Sequence, residues 1–358
     1  MPVSRAIGLF RPLSAWIEPV KNRPCPTGEP RFAALDLGTN NCRLLVAEPR
    51  SDGFAVVDSF SRITRLGEGL AASGCLAETA MARTIAALKI CRRIMQRNDV
   101  IMARCVATEA CRRAANGPEF IERVQRVTGV SLEILDHEEE ARLALLGCLP
   151  LIDDDADQLL MIDIGGGSTE VMWLDRQHPV RNESIGRSIS LPIGVVTLSE
   201  SFGDNHGEAR VYDRMVGHVR EMLAVAGSGR SSPPRLNGSR VQMLGTSGTV
   251  TTLAALHLGL ERYDRSKVDG MRLPFSAIFE VTMGLRELDD AHRAAHPCIG
   301  AGRADLVVAG CAILDAIHAC WPVGSLRVAD RGVREGILNA LMGRSLHQAL
   351  AGVTGDFD

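Results

Sequence analysis

The chain has 358 residues, of which 46% are hydrophobic and 23% are charged, and its formal net charge is −3. This length exceeds what a single hydrophobic core usually serves, so it predicts two domains. The nearly neutral charge does not indicate nucleic acid or an anionic membrane as a partner, and we expect neither.

The ten cysteines stand singly, mostly in apolar or helical stretches, and none forms a C-x-x-C pair. This pattern argues against a zinc ribbon or a disulfide framework and predicts a reducing, cytoplasmic location. Residues 1–30 contain six prolines and scattered basic residues but no continuous apolar segment like that of a secretion signal. We interpret them as a disordered, Pro-rich arm.

The first half of the ordered chain begins with a strand, a tight turn and a second strand around the sequence DLGTNN at residues 36–41. Apolar periodicity then predicts an alternation of strands and helices. The predicted strands are 32–37, 42–48, 55–61, 104–108 and 131–135, and the predicted helices are 77–96, 108–117, 119–128 and 136–149.

The second half begins in the same way, with LLMIDIGGGSTEVMWL at residues 159–174 predicting a strand, a glycine turn and a strand. Further strands are predicted at 184–192, 241–244 and 325–329, and helices at 193–202, 215–226, 276–288, 302–320 and 331–341, with another helix following the glycine turn at 245–248. Because strands and helices alternate throughout, the predicted class is α/β.

Three glycine-containing polar turns follow strands, at Asp36, Asp163 and Gly245. The first two carry aspartate at the same place and lie 127 residues apart, which indicates an internal repeat. Glycine permits positive φ and close approach to a ligand, and successive N–H groups can bind an anion. The carboxylates of Asp163 and Glu170 would suit a divalent cation holding a phosphate. The alternative for one such turn is a solvated glycine hairpin.

A run of three glutamates starts the helix predicted at 136–149. Asp136 and Glu139 have the spacing of a capping box, and negative charge at a helix N-terminus is favourable in itself. These effects account for Glu138 and Glu139 as well as a functional role would. They account less well for Glu140, which near a bound phosphate could deprotonate water.

Arg112 and Arg113 lie one turn into the helix that follows Thr108. The helix dipole does not favour arginine there, so an anionic partner is expected for one of them, and the sequence leaves open which. His137 does not belong to an H-E-x-x-H motif because position 141 is alanine. The other histidines show no spacing typical of metal ligands.

Several of these segments resemble, in the same order, the motifs of the exopolyphosphatase/guanosine pentaphosphate phosphatase (Ppx/GppA) family. They are ALDLGTNN, VATEACRRAANG, ILDHEEEARLALLG, MIDIGGGSTE, GTSGTVTTLAAL and DRGVREGIL. The resemblance implies an actin-like (ribonuclease-H-like) fold with two domains around a cleft. The expected domains are 31–148 and 149–336, with a closing helix at 337–350 that packs back on the first.

The resemblance also implies hydrolysis, dependent on Mg²⁺ or another divalent cation, of a terminal phosphate of polyphosphate or of the 5′ γ-phosphate of guanosine pentaphosphate. Glu140 matches the general base, Asp163 and Glu170 match the metal-binding and water-orienting acids, and Arg112 matches a phosphate-contacting arginine. The expected phosphate-binding residues are Asp36, Gly38, Thr39, Asn40, Gly165, Gly166, Gly167, Ser168, Gly245, Ser247, Gly248 and Thr249. A homodimer is a further expectation from the family.

Two departures from the family pattern bear on this expectation. His137 stands where many members have glycine, and we expect a short form without the C-terminal helical domain of longer members. Polyphosphate and guanosine pentaphosphate therefore both stay open as substrates. Two other functions also stay open, namely a sugar or acid kinase on the same fold and a non-catalytic regulator that binds (p)ppGpp.

Overall fold

The computed structural model describes residues 29–175, 187–227 and 240–343. The predicted arm lies almost entirely outside these residues, and so do residues 184–186 of a predicted strand and residues 344–350 of the closing helix. No helix within the described ranges combines the length and apolar character needed to cross a bilayer.

The strands form two mixed sheets, one in each half of the chain. They are β1 Phe32–Leu37, β2 Asn41–Arg50, β3 Gly53–Ile63, β4 Met102–Ala107, β5 Glu133–Ile134, β6 Gln158–Ile164, β7 Thr169–Asp175, β8 Arg187–Leu191, β9 Val241–Thr246, β10 Arg272–Pro274 and β11 Ser325–Ala329. The first sheet has the order β3-β2-β1-β4-β5 and the second has the order β10-β11-β9-β6-β7-β8.

The helices cover the faces of both sheets. They are α1 Leu70–Ser73, α2 Glu78–Arg97, α3 Glu109–Arg113, α4 Gly117–Thr128, α5 His137–Cys148, α6 Val195–Phe202, α7 Ala209–Ala226, α8 Ser247–His257, α9 Arg265–Val268, α10 Phe275–Glu287, α11 Asp290–Ala295, α12 Val307–Cys320 and α13 Val333–Leu341.

The two sheets repeat one topology, which confirms the internal repeat predicted from the two aspartate turns. In each sheet the strand that carries the aspartate pairs antiparallel with the next strand and parallel with a later one. The register is also repeated, since Asp36 pairs with Arg43 and Asp163 pairs with Glu170. The carboxyl ends of β1 and β6 therefore present equivalent turns.

A shared core joins the two sheets around α5 and α13. It contains Phe32 of β1 and Met161 of β6 together with Leu143 of α5 and Ile337 of α13, all of them buried. The two helices can approach this closely because residue 336 is glycine. A Cβ atom at Gly336 would lie only 1.9 Å from the carbonyl oxygen of Leu143. This core fixes the start of α5, where Glu140 lies, relative to both sheets.

Three predicted helices have clearly different limits in the structure, and the one predicted at 215–226 begins six residues earlier, at Ala209. The helix predicted at 108–117 ends at Arg113, and Gly117 begins α4 instead of ending the first helix. A Cβ atom at Gly117 would lie 2.2 Å from the carbonyl oxygen of Cys111, so this glycine permits a tight junction between two helices. The helix predicted from residue 302 begins at Val307, after hydrogen-bonded turns at residues 300–306.

Candidate active site

A cleft opens between the equivalent turns of the two sheets. Most of the residues predicted to contact substrate or metal line it. They are Asp36, Gly38, Thr39, Asn40, Glu140, Asp163, Gly165, Gly166, Gly167, Ser168, Glu170, Ser247, Gly248 and Thr249. Gly245 and Arg112 do not line it.

The first two turns touch each other across the base of the cleft. A Cβ atom at Gly167 would lie 2.7 Å from Thr39 Oγ1, and one at Gly166 would lie 3.0 Å from Thr39 Cβ. None of the three glycines at 165–167 has positive φ. This turn therefore does not use the positive φ that glycine permits, and close contact between the two halves is the reason for glycine at 166 and 167.

The glycine turn after β6 is supported from behind by the start of α6. The N–H groups of Val195 and Val196 donate to the carbonyl oxygens of Gly165 and Gly166 at 3.0 and 2.8 Å. These bonds orient the carbonyl groups toward α6. The turn is thereby fixed before any ligand binds.

The third turn leads from β9 into α8 and leaves the helix N-terminus open to the cleft. Thr246, at the N-cap position, makes no side-chain cap and instead bonds the carbonyl oxygen of Arg331. Ser247 has φ of 78°, and its hydroxyl donates to Asp163 Oδ1. The uncapped N–H groups at the start of α8, near Gly248 and Thr249, form the kind of site that binds phosphate.

Several carboxyl groups share the cleft, and their environment disfavours the charged form. The pKa of Asp163 is raised to about 7, and the pKa of Glu140 is raised well above its usual value. In both cases burial is the largest cause and the negative charge of Glu170 is the second. Burial also raises the pKa of Asp36. A cation near these groups would relieve their mutual repulsion, so the donor set fits the divalent ion that the family resemblance implies.

Arg112 faces the carboxylates beside the cleft. Its guanidinium donates to Glu109 Oε2 at 2.6 Å and to Glu140 Oε2 at 3.0 Å, and it also donates to the carbonyl oxygen of Leu135. The side chain of Arg113 is 37% exposed. Of the two arginines, Arg112 is thus the one that lies next to the candidate base.

His137, Glu140 and Glu170 could hold a metal ion, because one ligand atom from each lies within 4.8 Å of the others. Asp163 is not a member of this group. His137 Nδ1 is 3.7 Å from Glu170 Oε1, and Ser190 Oγ donates to that same oxygen at 3.1 Å. The spacing of residues along the chain does not indicate a metal site at His137, because α5 and β7 approach each other only in the folded chain.

Sequence analysis also missed arginines that line the cleft. Arg43 pairs with Asp36 across β1 and β2, while Arg303 and Arg334 enter from the second half. Burial and the charge of Arg334 lower the pKa of Arg43. The internal repeat could have indicated Arg43. Arg43 lies seven positions after Asp36, and the candidate site residue Glu170 lies seven positions after Asp163.

Two sheets of repeated topology, with equivalent glycine-containing turns facing each other across a cleft, define an actin-like fold. The solved structures agree. A Ppx/GppA family member from Aquifex aeolicus superimposes with a TM-score of 0.71 at 30% identity, covering 87% of this chain and 97% of that one. An exopolyphosphatase from Cytophaga hutchinsonii superimposes with a TM-score of 0.78, covering 88% of this chain and 99% of that one, and at 24% identity it supports the fold alone.

The sequence matches the Ppx/GppA phosphatase family over residues 45–345, and the chain belongs to that family. Among characterised proteins, exopolyphosphatase 2 of Mycobacterium tuberculosis is 30% identical over 331 residues, covering 87% of this chain and 99% of that protein. Family membership makes the chain a hydrolase of phosphoanhydrides.

Proposed function

We propose that the chain releases terminal orthophosphate from inorganic polyphosphate, from the 5′ end of guanosine pentaphosphate, or from both, in a reaction that requires a divalent cation. The observation that carries this proposal is the position of Glu140. This carboxyl group, whose pKa burial raises, lies in the same cleft as two glycine turns and an uncapped helix N-terminus.

In this proposal the main-chain N–H groups and the arginines bind the phosphates. The glycine turn at 165–168 and the start of α8 hold the terminal phosphoryl group, as helix N-termini and N–H nests hold anions. Arg43, Arg303 and Arg334 neutralise the adjoining phosphates. Arg112 would stabilise charge on the phosphoryl group in the transition state after its guanidinium turns from Glu109 into the cleft.

Glu140 takes the proton of the attacking water. A base with a raised pKa holds a proton better at neutral pH than an ordinary carboxylate does, and Arg112 orients it at 3.0 Å. Asp163 and Glu170 hold the divalent cation and orient the water. When bound, Mg²⁺ or a similar ion offsets the negative charge of the phosphate oxygens.

A substrate panel tests the proposal. Wild-type protein would be given short polyphosphate, long polyphosphate, guanosine pentaphosphate and ATP, each with and without Mg²⁺, and released phosphate would be measured. We expect release from polyphosphate, guanosine pentaphosphate or both, only with the cation. Phosphorylation of an acceptor by ATP would indicate a kinase instead, and binding of guanosine pentaphosphate without turnover would indicate a regulator.

Several expectations accompany this proposal as predictions. They are the division into domains at 31–148 and 149–336 with a closing helix at 337–350, a homodimer, a cytoplasmic location, and no nucleic-acid or membrane partner. The packing of α13 against α5 and β1 supports the prediction for the closing helix.

A further inference from the structure

Glu109 is a buried carboxylate of the cleft that lies beside the glycine turn. Its side chain is 5% exposed, and it lines the cleft. A Cβ atom at Gly167 would lie 3.1 Å from Glu109 Cγ, so the carboxylate is close to the turn that the proposed function assigns to the terminal phosphate. A negative charge in this position opposes phosphate binding unless a cation offsets it. Arg112, from the same short helix, is such a cation.

The guanidinium of Arg112 contacts two carboxylates through different nitrogens. Its Nε and Nη2 both donate to Glu109 Oε2, at 3.1 and 2.6 Å. Its Nη1 donates to Glu140 Oε2 at 3.0 Å and to the carbonyl oxygen of Leu135. The Nε–Nη2 edge carries one of the paired sets of N–H groups with which arginine binds carboxylate or phosphate. Glu109 therefore occupies a phosphate-binding edge of Arg112.

Glu109 has other partners that stay in place when Arg112 leaves it. Arg113 Nε lies 3.8 Å from Glu109 Oε1, and His137 Nε2 lies 3.7 Å from Glu109 Oε2. A buried carboxylate with no cation beside it would be strongly unfavourable. Because Arg113 remains close, the free energy needed to release Arg112 is lower than it would be for an isolated ion pair.

We propose that Glu109 is a specificity-determining residue that competes with phosphate for the Nε–Nη2 edge of Arg112. The terminal phosphoryl group of the substrate displaces Glu109 from this edge, and Glu109 returns to it after hydrolysis and thereby promotes release of orthophosphate. Nη1 of the same guanidinium stays on Glu140, so the candidate base keeps its orientation. The inference rests on the proposed function, because that function brings the terminal phosphate to Arg112.

The competition acts on substrate and product alike, but the substrate has further contacts in the cleft. Phosphates that adjoin the terminal one reach the arginines that line the cleft, namely Arg43, Arg303 and Arg334. These linked contacts raise the affinity of a chain of phosphates above that of a single group. A substrate therefore binds despite the competition, whereas orthophosphate is held weakly and leaves. Glu109 in this way limits inhibition by the product.

The test is the binding of inorganic orthophosphate, measured by calorimetry with Mg²⁺ present. Glu109→Gln replaces the carboxylate with an amide of the same shape, which holds a guanidinium more weakly. We expect this variant to bind orthophosphate at least about tenfold more tightly, the order expected from one hydrogen bond to a charged group. Glu133→Gln is the matched control, because Glu133 also accepts two bonds from an arginine, Arg104, and does not line the cleft. It should bind orthophosphate as wild type does.

Unchanged or weaker orthophosphate binding in Glu109→Gln would overturn the proposal. If that variant does not fold, Glu109→Asp serves instead, since it keeps the charge but withdraws the carboxylate from Arg112 by one methylene. It should also bind orthophosphate more tightly than wild type, and the absence of a gain there would overturn the proposal equally.

A double-mutant cycle tests whether the effect passes through Arg112. In the Arg112→Gln background, Glu109→Gln should no longer tighten orthophosphate binding, because the contested guanidinium is gone. An equal gain in that background would show that Glu109 merely repels phosphate, and it would overturn the proposed competition. These binding readouts are independent of turnover. A wild-type protein that releases phosphate while its variants fail them refutes only this inference, and one whose variants pass them without any release of phosphate by wild type refutes only the proposed function.

Discussion

Gly194 shows how a single residue outside the cleft shapes the glycine turn at 165–168, which we propose to bind phosphate. A Cβ atom at this position would lie 2.5 Å from the carbonyl oxygen of Gly165 and 2.6 Å from that of Gly166. Both neighbours are main-chain atoms of the turn, so they could move aside only if the turn itself moved. The lack of a side chain at 194 therefore lets α6 approach the turn closely enough to bond it.

We expect Gly194→Ala to lower the rate of phosphate release by about 10–100-fold, because a displacement of roughly 1 Å in a positioned group costs that much. Overpacking should also reduce the free energy of unfolding by about 1–3 kcal/mol. Steady-state phosphate release and denaturant unfolding would measure the two effects. Gly217→Ala is the control, since a Cβ atom at that helical position meets nothing within 4 Å. Equal activity of Gly194→Ala and wild type would contradict this account of the turn.

At the residue scale, sequence patterns predicted the groups that lie on the repeated turns and missed those that arrive from elsewhere. Asp36 and Asp163 were recognisable because each ends an apolar strand before glycine. His137 was not, since its partners Glu170 and Ser190 come from β7 and β8. The orientation of Arg112 toward Glu140 likewise depends on the packing of α3 beside α5, which periodicity does not describe.

At the scale of elements, local patterns predicted helices well where an apolar face and a cap coincide. Asp136 accepts a hydrogen bond from the N–H of Glu139, as the capping pattern predicted. Glu139 itself bonds Arg104 and Arg142, so tertiary partners compete for its side chain. The predicted start at residue 302 failed because the apolar segment is preceded by turns, and Gly300 has φ of 73°.

Helices α7 and α12 are joined by a buried polar contact that should make stability depend on pH. Tyr212 donates a hydrogen bond to Asp315. Burial raises the pKa of Asp315, and it outweighs the hydrogen bond from Tyr212 and the charges of His318 and Arg286, which lower that pKa. The folded chain thus keeps this proton to a higher pH than the unfolded chain does. As pH rises from about 4, the unfolded chain ionises first, and the contribution of Asp315 to stability falls.

We therefore expect wild type to lose more unfolding free energy between pH 4 and pH 8 than Asp315→Asn, which has no proton to lose. Asp213→Asn, on the exposed part of α7, is the control and should retain the wild-type dependence. Denaturant unfolding at a series of pH values would measure the difference. A steeper decline in Asp315→Asn than in wild type would show that the sign is wrong.

At the scale of the whole molecule, the two halves meet at the shared core and also through polar contacts outside it. Arg65 bonds Asp305 at 2.8 Å, and the N–H of Gly69 donates to Glu200 at 2.9 Å. The α/β class and the duplicated two-sheet architecture followed from alternation and from the repeated turn. The relation between the sheets did not, because it depends on close contacts such as that of Gly336 with α5.

The central claim is that Glu140 activates water at the end of this cleft. The most direct test is the rate of phosphate release from the substrate that the panel identifies, with Mg²⁺, for wild type and Glu140→Gln, with Glu138→Gln as the exposed control on the same helix. Loss of a general base predicts a fall in kcat of at least about 100-fold, with KM nearly unchanged, and wild-type rates for Glu138→Gln. Undiminished kcat in Glu140→Gln would contradict the account.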